Sequence, residues 1–308
     1  MGQQIIITGA TGLIGSYITQ KLSSRGDQII IFSRNPESSQ NELPGAKDYV
    51  KWDSFSEGGK WESYLDGADA VIHLAGEPLI GELWSDEYKE KILKSRQLGT
   101  RGLVRAIEKA AVKPKSFICA SAIGYYGSSE DDSIFTENSP AGMGFLAEVC
   151  KKWEAESAEV DKLGVRRVNV RVGIVLDKNE GALEKILTPF MYYMGGTVGS
   201  GDQWVSWIHN RDVANIFIHA LDNETLTGTL NGTAPNPVRM NEFAETLGGI
   251  LNRPSWLKIP ETPIKAAIGE ASVPVTEGIR VLPERTLESG FEFEFIYLRE
   301  ALKNLLGK

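Results

Sequence analysis

Cysteine is almost missing from this sequence: Cys119 and Cys150 are the two it has. Two thiols cannot staple a disulfide scaffold, so a packed core must hold the fold, and a reducing compartment is expected. Histidine is sparse too, with His73, His209 and His219 the full set. No Cys/His spacing resembles a zinc site, and no metal is expected. Positive charge is not in excess. The formal net charge of -8 argues against a duplex nucleic-acid groove as the main surface, so no nucleic-acid partner is expected. No apolar run is long enough to span a bilayer, and the opening residues lack the basic, apolar, cleavable order of a signal peptide. The expectation is a cytoplasmic protein with no membrane partner. The acidic turn Asp131-Asp132, beside Glu130, lacks the alternating ligands of a cation loop and reads as solvated.

What the chain does have is a distinctive opening, Ile5-Ile6-Ile7-Thr8-Gly9-Ala10-Thr11-Gly12-Leu13-Ile14-Gly15. A β-rich apolar run breaks into three spaced glycines and then into a helical pattern. Gly9 permits a tight turn, Gly12 lets backbone approach a pyrophosphate, and Gly15 lets helix pack closely on strand. The unpaired N–H groups at the helix start then face phosphate charge. Thr11, Leu13 and Ile14 fall within the same cradle. The Gly-Lys-Ser/Thr ending of a nucleoside-triphosphate loop is not there, which argues against ATP hydrolysis.

The 308 residues can bury a sizeable core. Strands are expected at Gln4–Thr8, Gln28–Phe32, Ala70–Leu74, Lys115–Ala120 and Val165–Val172. Helical spacing covers Leu13–Leu22, Ser85–Ala110 and Phe145–Lys162. This alternation predicts an α/β fold, a doubly wound parallel sheet whose binding crevice lies at the carboxyl ends of the strands. Residues 1–180 are expected to form this domain. Residues 181–308 are expected to form a smaller substrate-side and C-terminal lobe, with elements between about 205 and 232 returning to the sheet. Helices are expected there at Leu183–Met194, Val213–Leu221, Met240–Leu251 and Leu298–Leu306.

The second strand ends in Ser33-Arg34, where an NAD-preferring site usually places Asp or Glu. An acidic side chain there would bind the ribose 2'-hydroxyl and repel a 2'-phosphate, whereas Ser33 and Arg34 can donate to that phosphate. NADP(H) is therefore the expected cofactor. Asp53 is placed either near the adenine amino group or as a turn cap. Leu74, Ala75 and Gly76 close the next strand with little bulk, leaving room for ribose and pyrophosphate. Ala120 ends the strand after that on the same crevice.

Gly9 to Gly15 and His73-Leu74-Ala75-Gly76 together resemble the extended short-chain dehydrogenase/reductases, the group that includes nucleotide-sugar epimerases. Further segments are similar to an atypical epimerase-like subfamily, the nucleoside-diphosphate-sugar epimerase homologues. These are Ser95-Arg96 with Thr100, Ser121 to Gly127, Ser206-Trp207-Ile208-His209 with Asp212, and Gly278 to Pro283. The resemblance covers nearly the whole chain and implies NADP(H) binding. It also implies a Tyr and, four residues later, a Lys on the helix after the Ser-bearing strand. Setting Glu154 against the acidic residue common in that helix puts Leu146 at the Tyr position and Cys150 at the Lys position. Leu146 has no titratable proton, and Cys150 supplies no fixed positive charge. Lys151 lies about a hundred degrees away round the helix.

Ser121 is then expected to position a substrate oxygen, and Tyr125 to act as substitute acid/base. Tyr126, Trp204, Trp207 and His209 are expected on the substrate side, His209 having the alternative of a helix cap. Arg96 points either to the cofactor or into a surface ion pair, and Arg171 ends a strand where it can add charge to the pocket. Two functions stay open. One is an oxidoreductase or epimerase acting on an unknown small substrate. The other is a non-catalytic NADP(H)-responsive binding protein, in either case a monomer or homodimer.

Overall fold

Three consecutive isoleucines with no exposure at all open the fold, because a strand buried on both faces has to be covered by helices on each side. That strand is β1 (Gln4–Thr8), and β2 (Gln28–Ser33), β3 (Asp48–Lys51), β4 (Ala70–His73), β5 (Ser116–Ala122), β6 (Arg166–Val172) and β7 (Gly228–Gly232) join it. All pair in parallel, in the order β7-β6-β5-β4-β1-β2-β3. The order reverses between β1 and β4, where Thr8 lies opposite His73. A crevice opens at such a switch point, outside the carboxyl ends of the two strands. This computed structural model describes residues 2–56, 58–79, 82–129, 131–262, 266 and 269–308, so Glu130 of the acidic turn lies outside the described residues.

Helix boundaries follow local chemistry. α1 (Leu13–Arg25) stops at Gly26 in the left-handed region, and α2 (Pro36–Glu42) starts at Asn35, whose side chain accepts the Ser38 N–H. α3 (Asp86–Lys109) starts at Ser85, whose hydroxyl accepts the Tyr88 N–H, with Asp86 and Glu87 in the first turn. α4 (Phe145–Ala158) ends four residues before the expected limit and passes into a tighter turn of helix, Glu159–Leu163. α5 (Gly181–Met191), α6 (Asn210–Asp222), α7 (Met240–Leu251) and α8 (Leu298–Leu306) complete the set used below. The sequence reading had no element for α2 and none for β3, a short half-buried edge strand.

Among the described residues three apolar clusters result, the smallest made of Tyr126, Ile279 and Val281. The first spans the sheet and takes in Val213 and Phe217 of α6, Leu230 of β7 and, from the C-terminal stretch, Phe291. The second gathers Leu183, Phe190, Phe243, Leu247 and Leu302 around Trp207. Trp207 is fully buried there, its indole N–H donating to the Asn236 carbonyl at 2.9 Å. Its expected place on a substrate wall is thus corrected: the indole fills a core. His209 needs the same correction. It is wholly buried, accepts the Arg211 N–H at 3.1 Å as the cap of α6, and stacks on Phe295 at 3.9 Å between ring centres.

His73 ties the switch point together. Its Nδ1 is 2.7 Å from Thr8 Oγ1, and its Nε2 is 3.1 Å from Thr100 Oγ1. Thr100 donates its own hydroxyl proton to the Arg96 carbonyl, so His73 donates through Nε2 and accepts at Nδ1. Thr8 Oγ1 also accepts the N–H groups of Leu74 and Ala75, each at 3.2 Å. One threonine thereby fixes both lips of the crevice.

Burial, with the Arg96 charge second, pushes His73 down to about 3, and burial followed by Arg211 pushes His209 to about 4, each from 6.5. Unfolding lets both bind protons, so their contribution to stability is full above pH 6.5 and is lost as pH falls through those values. Asp212 has the opposite sign. Burial raises it from 3.8 to about 6 although it accepts the Glu294 and Phe295 N–H groups, so its share is complete below 3.8 and lost as pH rises through about 6. Urea midpoints should therefore decline from pH 6.5 to 4, and Asp212→Asn should steepen that decline by removing the opposing group.

Candidate functional site

Three glycines shape the crevice, each in its own way. Gly9 holds φ at 69°, and a Cβ there would lie 2.9 Å from the Ala75 nitrogen. At Gly15 a Cβ would meet the Gly9 carbonyl oxygen at 2.2 Å, so only glycine lets α1 sit this close to β1. A Cβ on Gly12 would meet nothing nearer than the Gly9 oxygen at 3.4 Å; the space beside it is open crevice. No side chain caps α1, and its first turn carries no acidic residue. The start of α1 is thus a set of backbone donors and a partial positive charge without a capping side chain or an acidic residue in its own first turn.

Two cavities share Gly9, Gly12 and Leu74 and run as one trough across this point. One, of about 350 Å³, passes Thr11, Ser33, Arg34, Ala75 and Gly76. The other, of about 410 Å³, is walled by Leu13, Ile14, Gly15 and Ala120 on the sheet side and by Ile186, Val205, Met240 and Phe243 opposite. In the first, the Arg34 side chain is 70% exposed and makes one long contact, 3.6 Å, to Glu77, so it is free to turn toward a ligand. Ser33 Oγ accepts from the Asn35 N–H at 3.1 Å and is hydrogen-bonded to the Ser39 hydroxyl at 2.7 Å, which also reaches the Asn35 carbonyl at 3.1 Å. Asn35, Ser38 and Glu77 share this cavity and were not anticipated; the Asn-Pro step after β2 was the available sign.

Asp53 caps a turn at the edge of this cavity. Its carboxylate accepts the Phe55 N–H at 2.8 Å and its carbonyl the Ser56 N–H at 3.0 Å, while Trp52 and Ser54 line the cavity instead. Among the described residues Arg96 has no ion-pair partner within reach. It donates to the carbonyls of Glu77 at 2.9 Å and Ile92 at 3.1 Å, lies 5.1 Å over the Trp153 ring, and presses against Gly76, where a Cβ would meet it at 2.9 Å. Burial lowers its pKa, with the neighbouring Cys150 opposing. It braces the crevice wall from behind.

Beyond Ala120 the strand alternates, so Ala120 faces the cavity and Ser121 faces α4. Ser121 is 3% exposed and donates to Glu154 Oε1 at 2.6 Å. Arg171 donates to both oxygens of Glu154 at 2.8 Å and to the Tyr126 hydroxyl at 2.9 Å. Tyr126 in turn donates to Asn231 Oδ1 at 2.7 Å, and the Asn231 N–H donates to Glu137 at 2.9 Å. Tyr126 is therefore corrected from a substrate contact to a buried link in a polar chain, its hydroxyl pushed up to about 12 by burial. Tyr125 is half-buried, its ring centre 3.3 Å from the Arg171 guanidinium carbon. Sequence reasoning used Glu154 only for alignment and missed Asn231 and Glu137 altogether.

Leu146 and Cys150 do face this loop: a Cβ on Gly124 would lie 3.1 Å from Leu146 Cβ and 4.0 Å from Cys150 Sγ. With Glu154 they form one stripe at four-residue steps along α4. Burial, then Glu154, holds the Cys150 thiol up at about 11, which keeps it protonated and neutral. Trp204 is also corrected as a substrate contact. Its neighbour Val205 lines the cavity, and Trp204 points the other way, between Arg239 at 4.1 Å and Arg280 at 4.7 Å, donating to Asp132 at 3.2 Å.

Sheet order, switch-point crevice and glycine cradle define a class of nucleotide-binding α/β proteins. Residues 5–231 match the NAD dependent epimerase/dehydratase family, and the chain belongs to it. Residues 259–305 match a domain of unknown function, DUF1731. The chain is 41% identical over 304 residues to the epimerase family protein SDR39U1 homolog, chloroplastic, of Arabidopsis thaliana, covering 98% of this chain and 86% of that one. It is 38% identical to the epimerase family protein YfhF of Bacillus subtilis, covering 98% of both. The crystal structure of human epimerase family protein SDR39U1 (isoform 2) with NADPH superposes with a TM-score of 0.86 at 32% identity, covering 99% of each chain.

Arg171 is buried and Glu154 nearly so, at 5% and 13% side-chain exposure, and each is hydrogen-bonded to the other, so removing Glu154 strands a buried arginine. Glu154→Ala should cost about 3–5 kcal/mol of stability. Ser121→Ala removes one donor from a carboxylate that keeps its arginine and should cost about 1 kcal/mol. Urea unfolding of the two variants checks this ranking.

Proposed function

We propose that this chain is an NADP(H)-binding member of its family that acts as an oxidoreductase or epimerase on a small substrate without a Tyr-x-x-x-Lys relay. The observation that carries the cofactor reading is the open space at Gly12 beside the uncapped start of α1, with Ser33 and the exposed Arg34 farther along the same trough. Gly9, Thr11, Gly12 and the first turn of α1 would hold the pyrophosphate, Ala75 and Gly76 would admit the adenosine ribose, and Arg34 with Ser33 would hold its 2'-phosphate. Leu74, Ala120 and Ile14 would flank the nicotinamide end. The relative crystallised with NADPH supports the same assignment. When bound, the nicotinamide supplies or accepts a hydride.

The proton-bearing groups that would serve the substrate are the Ser121 hydroxyl, once released from Glu154 on the α4 side, and the Tyr125 phenol, braced by Arg171. A second reading, NADP(H)-responsive binding without turnover, draws on one observation. The Ser121 proton is already committed to Glu154, and Leu146 and Cys150 stand where a relay would be.

Calorimetry tests the cofactor assignment. NADPH should bind more tightly than NADH. Arg34→Ala should weaken NADPH binding about tenfold or more, the worth of a charge-assisted contact, and leave NADH unchanged. Gly12→Ala should weaken both nucleotides. Equal affinity of the unmodified chain for NADPH and NADH would overturn the assignment, and NADPH oxidation on a substrate panel separates turnover from binding alone.

A further inference from the structure

Among the described residues, every side chain on the walls of the 410 Å³ cavity is hydrocarbon or thioether, and the rest of the lining is glycine. The wall facing the glycine cradle is built by Ile186, Val205, Met240 and Phe243. Three guanidinium groups of the surrounding elements are engaged elsewhere. Arg171 serves Glu154 and Tyr126, Arg96 serves two carbonyls behind Gly76, and Arg239 serves Asp132. A nucleoside diphosphate-sugar would bring a second diphosphate and several hydroxyls into this cavity. The cradle's backbone donors are taken by the cofactor, and the opposite wall, Ile186, Val205, Met240 and Phe243, offers these groups no side-chain partner; buried polar groups without partners are costly.

We propose that the part of this cavity left beyond the nicotinamide, against Ile186, Val205, Met240 and Phe243, takes an uncharged, flat, conjugated dicarbonyl of the quinone class, and not a sugar nucleotide. This deepens the NADP(H) reading above and rests on it. The apolar walls reward a flat carbon ring, with Phe243 offering an aromatic surface and Met240 an adaptable one. The missing relay points the same way. A simple ketone that gains a hydride becomes an alkoxide, a base far too strong to form without a proton donor in place. A quinone that gains a hydride becomes a phenolate, whose conjugate acid has a pKa near that of tyrosine, about 10. The balance is closed: the quinone takes the hydride, with its electron pair, from NADPH and then one proton from water, giving hydroquinone and NADP+. Leu146 and the neutral Cys150 thiol then suffice beside Gly124, because no side chain has to deliver a proton as the hydride arrives.

The test titrates the chain, loaded with NADP+ so that nothing turns over, with 2-methyl-1,4-naphthoquinone and separately with UDP-glucose, following tryptophan fluorescence and heat. The naphthoquinone should bind and UDP-glucose should not. Ile186→Asn, which makes one wall polar, should weaken naphthoquinone binding about tenfold. Met240→Gln serves the same purpose if the first variant does not fold. With NADPH in place of NADP+, the naphthoquinone should be reduced with one hydroquinone formed per nucleotide oxidised. UDP-glucose binding without naphthoquinone binding, or naphthoquinone affinity unmoved in folded variants, would overturn the proposal. Failure of the chain to bind either pyridine nucleotide would instead sink the cofactor reading, and is seen in the nucleotide titration alone.

Discussion

The close seating of α1 on the end of β1 is the contact on which the rest depends. With no side chain at Gly15, the helix start lies directly over the Gly9 turn, and a single methyl group would collide with the Gly9 oxygen at 2.2 Å. That seating turns the unpaired N–H groups of the first helical turn toward the crevice. Thr8 and His73 then hold the opposite lip at a set distance, since one hydroxyl accepts the Leu74 and Ala75 N–H groups while bonded to the imidazole. Packing at one residue pair thus becomes a ligand-shaped electrostatic feature about a turn of helix away.

A second device fixes the substrate side. The chain of buried polar contacts from Ser121 through Glu154, Arg171, Tyr126 and Asn231 to Glu137 crosses from α4 to the far edge of the sheet. Glu137 also accepts the Arg285 N–H at 3.2 Å, and Asn231 donates to the Leu282 carbonyl at 3.0 Å. The C-terminal stretch is thereby fastened to the strand ends beside the crevice. A network of this kind has two costs for function: its members are satisfied by one another, and little of their hydrogen-bonding capacity is left for a ligand. The neighbouring cavity is correspondingly apolar.

The sheet and the glycine cradle were legible because their signals are local. Backbone demands at Gly9 and Gly15, the Ser85 cap, and the apolar spacing of Met240–Leu251 all act within a few residues. The helix Asn210–Asp222 packs on the sheet, and the strand Gly228–Gly232 pairs with Arg166–Val172 at its edge. What failed was the assignment of aromatic and polar residues to a pocket. Tyr126, Trp204, Trp207 and His209 sit near glycine-rich turns, and composition cannot tell a pocket wall from a core filler when adjacent residues point to opposite sides. Val205 lines the cavity and Trp204 does not, for that reason alone. Asn231 and Glu137 were invisible because their partners lie far along the chain, 94 residues apart in their own contact.

Fragments of the nucleotide give the most direct test of the central claim, that α1's start receives a pyrophosphate while the Ser33–Arg34 corner receives a phosphate on the adenosine ribose. Adenosine 2',5'-bisphosphate and adenosine 5'-monophosphate differ only at that corner. If the account is right, the bisphosphate binds the unmodified chain about tenfold more tightly or better, by the worth of one charge-assisted contact. Equal affinities for the two would contradict it.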